Sequence, residues 1–193
     1  MPEWERKVRV LGVFGSPRTA GNSSTLLEEV LAGAEEQGAV VERVLLAKKL
    51  IAPCLSCDAC SQTGVCVQRD GMSGLVEPMV VSDVWALATP VYWWGPSAQL
   101  KAFVDRWYGP WHDPDIRKAL AGKRALLAIT LGDPNPQTAD HVIGMFRDAF
   151  HYLGMHLAPA VLATGVSDRG DVGRRPDLLS RARRAGRDIV TAR

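Results

Sequence analysis

The stretch KVRVLGVFGSPRTAGNSSTLLEEVLAGAEE, Lys7 to Glu36, passes through three patterns in turn. Lys7 to Phe14 is short and valine-rich, which suits a strand buried on both faces better than a helix. Gly15 to Ser24 is a turn-rich segment. Beyond it Leu26, Leu27, Val30, Leu31 and Ala34 recur at helical spacing, with Glu28, Glu29, Glu35 and Glu36 between them. The order is strand, loop, helix.

The same alternation continues along the chain. Apolar runs at Ala39 to Leu46, Asp83 to Thr89, Ala125 to Leu131 and Leu157 to Thr164 read as strands. Helical patterns follow at Ser97 to Tyr108, with Leu100, Phe103, Val104 and Trp107 as its apolar stripe, at Ala139 to Leu153, and from Pro176 onward. Each parallel connection needs a crossover, usually a helix, so the alternation predicts an α/β fold with a doubly wound, five-stranded parallel sheet. With 193 residues, 47% of them hydrophobic, one domain over residues 1–193 is expected. A formal charge of +2 gives no field of one sign that would favour nucleic acid or an anionic membrane. Met1 to Arg9 lacks the apolar core of a secretory signal, and no apolar run is long enough to span a bilayer. A cytoplasmic location is expected, where grouped cysteines read as metal ligands or redox groups.

In an open sheet of this kind, ligands bind beyond the carboxyl ends of the strands. The loop after the first strand offers Ser16, Arg18, Asn22, Ser23, Ser24 and Thr25 at a helix start, where hydroxyls and free N–H groups can converge on an anion such as a phosphate monoester. It matches neither GxxxxGK[ST] nor GxGxxG. The plainer reading is a loop that caps a helix. After the third strand, Pro90-Val-Tyr-Trp-Trp-Gly-Pro96 sets large planar side chains beside a proline-fixed turn, as a flat apolar ring system requires. Core or subunit-interface packing is the alternative, most of all for Trp94.

Cys54, Cys57, Cys60 and Cys66 are all the cysteines of the chain and fall in one long loop, Ala47 to Gly71, after the second strand. Their pattern, C-x2-C-x2-C-x5-C, offers the four thiolates of a [4Fe–4S] cluster and begins like a bacterial ferredoxin run. Structural zinc also takes four cysteines, though usually as two well-separated C-x2-C pairs. The histidines His112, His141, His151 and His156 are scattered and make no metal spacing with them. Arg174, Arg175, Arg181, Arg183, Arg184 and Arg187 give a basic C-terminal helix interrupted by Asp177 and Asp188, and cations near a helix C-terminus are ordinary.

GSPRTAGNSSTLL and PVYWWGPSAQLKAFVDRW, in that order, resemble the NADPH-dependent FMN reductase and flavodoxin-like superfamily. The resemblance implies that Ser16, Arg18, Asn22, Ser23 and Ser24 contact the FMN phosphate, and that Pro90, Val91, Tyr92, Trp93 and Gly95 lie along the isoalloxazine ring. The cysteine pattern is similar to that of the iron-sulfur flavoproteins within this superfamily, implying that Cys54, Cys57, Cys60 and Cys66 ligate a [4Fe–4S] cluster. Gly71 stands where that family commonly has a second aspartate. The implied protein is an FMN-dependent oxidoreductase, working as a homodimer or larger homo-oligomer, that exchanges electrons between a two-electron donor or small-molecule substrate and one-electron carriers. The flavin would carry the chemistry, with no protein side chain as nucleophile. Rival expectations are an FMN-dependent dehydrogenase of a small aminodeoxychorismate-type ring, a cluster-free NAD(P)H:FMN or quinone reductase, and a zinc-stabilised binding domain.

Overall fold

The computed structural model describes residues 6–192. Parallel strands β1 (Arg9–Phe14), β2 (Val40–Leu45), β3 (Val84–Pro90), β4 (Arg124–Thr130), β5 (His156–Leu157) and β6 (Val161–Ala163) form one sheet. The order is β2-β1-β3-β4-β5, with β6 also paired to β4. β5 and β6 lie in succession along β4, Arg124 facing His156 and Ala128 facing Val161, so they fill one sheet position. By its apolar pattern Leu157 to Thr164 is expected to be a single strand. Pro159, which has no N–H to give to a ladder, lies in the break.

The helices are α1 (Asn22–Glu36), α2 (Ala59–Thr63), α3 (Val76–Val81), α4 (Ala98–Asp105), α5 (Tyr108–Trp111), α6 (Pro114–Leu120), α7 (Asp140–Tyr152) and α8 (Pro176–Thr191). The helix expected over Ser97 to Tyr108 ends at Asp105 and the chain re-coils as α5. α3 and α6 are too short to show a helical period in the sequence.

Side-chain alternation along the central strands divides the core into two layers. Leu11, Val13, Trp85, Leu87, Leu127 and Ile129 face one side, where Leu100 and Phe103 of α4 and Phe146 and Phe150 of α7 meet them. Val10, Phe14, Ala86, Ala88 and Ala128 face the other, against Leu26, Leu27, Val30 and Leu31 of α1 and Leu178 and Ala182 of α8. α1 and α8 cross at backbone contact. A Cβ on Gly33 would lie 1.9 Å from Arg183 O, and one on Gly186 would lie 1.9 Å from Val30 O. At the rim of that crossing Arg183 binds Glu29 at 2.8 Å and Arg187 binds Glu36 at 2.8 Å. These two arginines of the basic helix are thus used within the fold.

The chain leaves β1 for α1 on one face and leaves β3 for α4 on the other, so the carboxyl ends of β1 and β3 diverge and open a crevice. Among the described residues, no helix is long and apolar enough to cross a membrane.

Candidate functional site

The loop after β1 is rigid by its own bonds. Gly15 N–H donates to Ala88 O of β3 at 2.9 Å, and Ser97 Oγ donates to Gly15 O. A Cβ at Gly15 would lie 2.6 Å from Ala88 O, so only glycine lets the loop start this close to the strand. Arg18 is the pivot of the turn: its N–H donates to Ser16 Oγ at 3.1 Å, and its carbonyl accepts from Gly21 N–H at 3.2 Å and Ser24 Oγ at 3.2 Å. The first backbone bond inside α1 runs from Thr25 N–H to Gly21 O at 3.0 Å. The N–H groups of Asn22, Ser23 and Ser24 precede it and lie at the positive end of the helix dipole.

The Asn22 side chain is engaged elsewhere. Its Nδ2 donates to Asp168 O at 2.8 Å, while its Oδ1 accepts from Gly170 N–H at 3.1 Å and Val172 N–H at 3.3 Å. It therefore ties the β1 loop to the segment before α8. Asn22→Ala removes all three bonds and is expected to cost about 1–2 kcal/mol of stability. Faster amide exchange at Gly170 and Val172, with a lowered urea midpoint, would verify this.

The loop after β3 is a two-residue hairpin turn. Tyr92 and Gly95 exchange both backbone hydrogen bonds at 2.9 Å. Between them Trp93 has φ 50° and Trp94 has φ 59°. Both central residues are thus left-handed, the form that Asn-Gly normally fills. Bulky side chains there are strained by roughly 1–2 kcal/mol each. Trp93 is 91% exposed, so burial does not offset the strain. Strain of this kind concentrates at ligand clamps and active sites. The double variant Trp93→Asn, Trp94→Gly is expected to raise the thermal midpoint of the ligand-free protein, read by calorimetry.

The two loops meet. Ser16, Arg18, Gly21, Asn22 and Ser23 share a cleft of about 270 Å³ with Pro90, Val91 and Tyr92. Thr130, Leu131, Gly132, Val166 and Ser167 complete its lining, and no motif in the sequence marks them. The place of β4 beside β3 is the signal for them, and strand order is invisible in the sequence. A second hollow of about 230 Å³ shares Val91, Leu131 and Gly132 with that cleft and adds Trp93, Trp94, Asp133 and Thr138. Ser24 stands behind the loop, its hydroxyl spent on Arg18 O. Gly95 closes the turn. One end of the cleft is rich in N–H and hydroxyl groups and the other is walled by aromatic and backbone surface. That fits a ligand made of an anionic group and a flat ring, as FMN is.

The cysteines lie between β2 and α3, with Cys60 on α2. Cys60 is buried, Cys66 half-buried, and Cys54 and Cys57 exposed. Left-handed Ser56 (φ 53°) and Asp58 (φ 56°) bend the backbone on either side of Cys57. Tyr108 Oη donates to Asp58 Oδ1 at 2.7 Å, fastening this bend to α5. Burial pushes the Cys60 thiol up, and the other three cysteines add to the shift. Two of the sulfurs already accept N–H donors: Cys54 from Ser56 N–H and Cys66 from Arg106 Nη2, each at 3.4 Å. Among the described residues, no three His, Cys, Asp or Glu side chains close on one point as a single bound ion requires. Four thiols on one segment, with Cys60 sensing the charges of the other three, are the donor set that a group held by cysteine sulfur would need.

The base of the segment is closed by an ion pair between residues 36 apart, which no local spacing marks. Arg106 follows α4; its Nη1 donates to Asp70 Oδ2 at 2.6 Å and to Ala52 O at 2.9 Å, and its Nη2 donates to Asp70 Oδ1 at 3.2 Å. The side chains are 2% and 11% exposed. Asp70 also accepts from Ala52 N–H at 2.9 Å and Met72 N–H at 3.1 Å. Burial alone would push this carboxyl up, but the Arg106 bonds and the two N–H donors hold it below the usual range.

A family model described as the flavodoxin-like fold matches residues 8–185. An iron-sulfur flavoprotein of Archaeoglobus fulgidus is 37% identical over 185 residues, covering 96% of this chain and 80% of that protein. A Bacillus subtilis protein carrying the name NAD(P)H-dependent FMN-containing oxidoreductase is 30% identical over 181 residues, 92% of this chain and 96% of its own length. The solved structure of an NAD(P)H:quinone oxidoreductase from Methanothermobacter marburgensis has a TM-score of 0.77 at 22% identity, covering 97% of this chain and 100% of that one, a likeness of fold. The strand order, the crevice between β1 and β3 and the span of these matches agree: the chain is a member of the flavodoxin-like family and a relative of the iron-sulfur flavoproteins.

Proposed function

We propose that the chain is an FMN-dependent oxidoreductase in which Cys54, Cys57, Cys60 and Cys66 hold a [4Fe–4S] cluster. The observation that carries the flavin half is the single cleft shared by Ser16, Arg18 and Ser23 with Pro90, Val91 and Tyr92. The cluster half draws support from the four thiols on one fastened segment, two with N–H donors, and from the name of the 37% identical relative. When bound, FMN supplies two-electron exchange with a donor or substrate, and the cluster supplies one-electron exchange with a carrier.

The protein's part is to bind and orient. The N–H groups opening α1, the Ser23 hydroxyl and the Arg18 guanidinium receive the phosphate, while Tyr92 and the strained Trp93-Trp94 turn flank the ring. Trp93→Asn, Trp94→Gly therefore lowers FMN affinity while it raises the stability of the ligand-free protein. A second copy of the chain would cover Trp93 and the open side of the cleft, so a homodimer is part of this reading.

A cluster-free NAD(P)H:FMN or quinone reductase is the second reading, favoured by the exposure of Cys54 and Cys57 and by the 30% identical relative's name. Anaerobic purification, with a visible spectrum and with flavin, iron, sulfide and zinc quantified per chain, separates the two. Flavin with about four iron and four sulfide supports the first. Flavin alone selects the second, and zinc without flavin overturns both. Cys57→Ala should lose the cluster and keep FMN; full iron retention in that variant would defeat the ligand assignment.

A further inference from the structure

Arg106 does more than close a loop. Its guanidinium is 2% exposed and cannot exchange its partners for water. Nη2 is divided between Asp70 Oδ1 at 3.2 Å and Cys66 Sγ at 3.4 Å, and Cys66 is 40 residues away in sequence. A fixed cation with an N–H aimed at a cysteine sulfur is the kind of partner that tunes a thiolate-bound centre from its outer shell. Arg106 also sits directly after α4, whose N-cap Ser97 donates to Gly15 O of the β1 loop. One helix thus has a hydrogen bond to the β1 loop at one end and to the cysteine segment at the other, about 13 Å apart at 1.5 Å per residue.

Resting on the cluster reading above, we infer that Arg106 sets the reduction potential of the cluster through Cys66, with Asp70 as its counterweight. One-electron reduction adds a negative charge to the cluster and its thiolates. The Nη2–H···Sγ bond and the guanidinium charge stabilise that added electron, raising the potential. The Asp70 carboxylate opposes it and at the same time fixes the guanidinium plane by a two-pronged pair. The two residues therefore act with opposite sign. A merely structural pair would not do so, because losing either partner would loosen the same loop.

The test is an anaerobic dithionite titration of the cluster-loaded protein, followed by electron paramagnetic resonance, in wild type, Arg106→Gln, Arg106→Lys and Asp70→Asn. Arg106→Gln should lower the equilibrium constant for one-electron reduction at least tenfold, about 59 mV. Arg106→Lys, which keeps the charge but not the fork, should shift it the same way and less. Asp70→Asn should shift it upward. Constants within threefold of wild type in iron-loaded Arg106→Gln and Asp70→Asn overturn the inference and leave the cluster reading intact. A wild-type chain that carries flavin but no iron overturns both. If the Arg106 variants do not retain iron, wild-type protein labelled with ¹⁵N-guanidinium arginine decides. Pulsed resonance of its reduced cluster should show coupling to an arginine ¹⁵N, and the lack of any such coupling overturns the inference.

Discussion

Arg106→Met is expected to destabilise the protein by about 3–5 kcal/mol, because it leaves the Asp70 carboxylate nearly buried with no opposing charge. The isosteric loss of a surface arginine would cost far less. Ala52 O also loses its donor at 2.9 Å, so the two ends of the cysteine segment separate. Adding Asp70→Asn removes the stranded charge while its amide oxygen can still accept from Ala52 N–H, and the double variant should regain more than half of the loss. Chemical denaturation followed by far-ultraviolet circular dichroism measures each corner of this cycle; a single variant within 1 kcal/mol of wild type would remove the pair from the structural account. Acid gives an independent check. The Asp70 carboxyl is held below its ordinary value of about 3.9, so its ionised form contributes stability above that pH. That contribution is lost as pH falls through the lower folded value. The difference between wild type and Arg106→Met should accordingly shrink as pH falls, starting where the unpaired carboxyl of the variant, pushed up by burial, takes its proton and ending at the lower value at which the wild-type carboxyl does.

Gly15→Val is expected to weaken FMN binding by a hundredfold or more, about 2.8 kcal/mol. The added Cβ would stand 2.6 Å from Ala88 O and 2.9 Å from Leu100 Cβ. The first is backbone of the central strand β3 and the second is fully buried in α4, so neither can yield. The loop must move instead, breaking the 2.9 Å bond from Gly15 N–H to Ala88 O and the Ser97 bond to Gly15 O. The N–H groups that open α1 then no longer converge on one point. Stability should also fall, by about 1–3 kcal/mol from overpacking. Gly38→Asn is the control: Gly38 has φ 79° with open space around it, and asparagine tolerates that conformation. Fluorescence titration of FMN into flavin-free protein measures the change. An affinity for Gly15→Val within threefold of wild type would mean that the β1 loop is not where the phosphate binds.

Much of this was legible from local pattern. The valine-rich run before Gly15 and the helical period from Leu26 to Ala34 predict β1 and α1, and both are present, because burial on two faces and burial on one stripe impose different spacings. The β1 and β3 loops were legible as candidates for the same reason, since turn residues and aromatics at strand ends break the periods around them. The split of the last strand is not predicted, because apolar composition conceals a missing N–H at Pro159. The type of turn at Trp93-Trp94 is not predicted either, because its residues contradict the preference that a two-residue hairpin ordinarily shows.

Local spacing alone carries the alternation of strands and helices, the turn-rich loop that is the candidate for an anion, and the grouping of four cysteines. These depend on neighbours a few residues apart, and spacing records them directly. Tertiary structure alone decided which strand lies beside which, that Thr130, Leu131 and Ser167 wall the cleft, that Asn22 is spent on a segment 146 to 150 residues away, and that Arg106 reaches Cys66. Such pairings follow from packing two apolar layers onto one sheet. Once α4 lies down on β3, its end has a single place to go, and the charge at that end meets whatever the cysteine segment presents there.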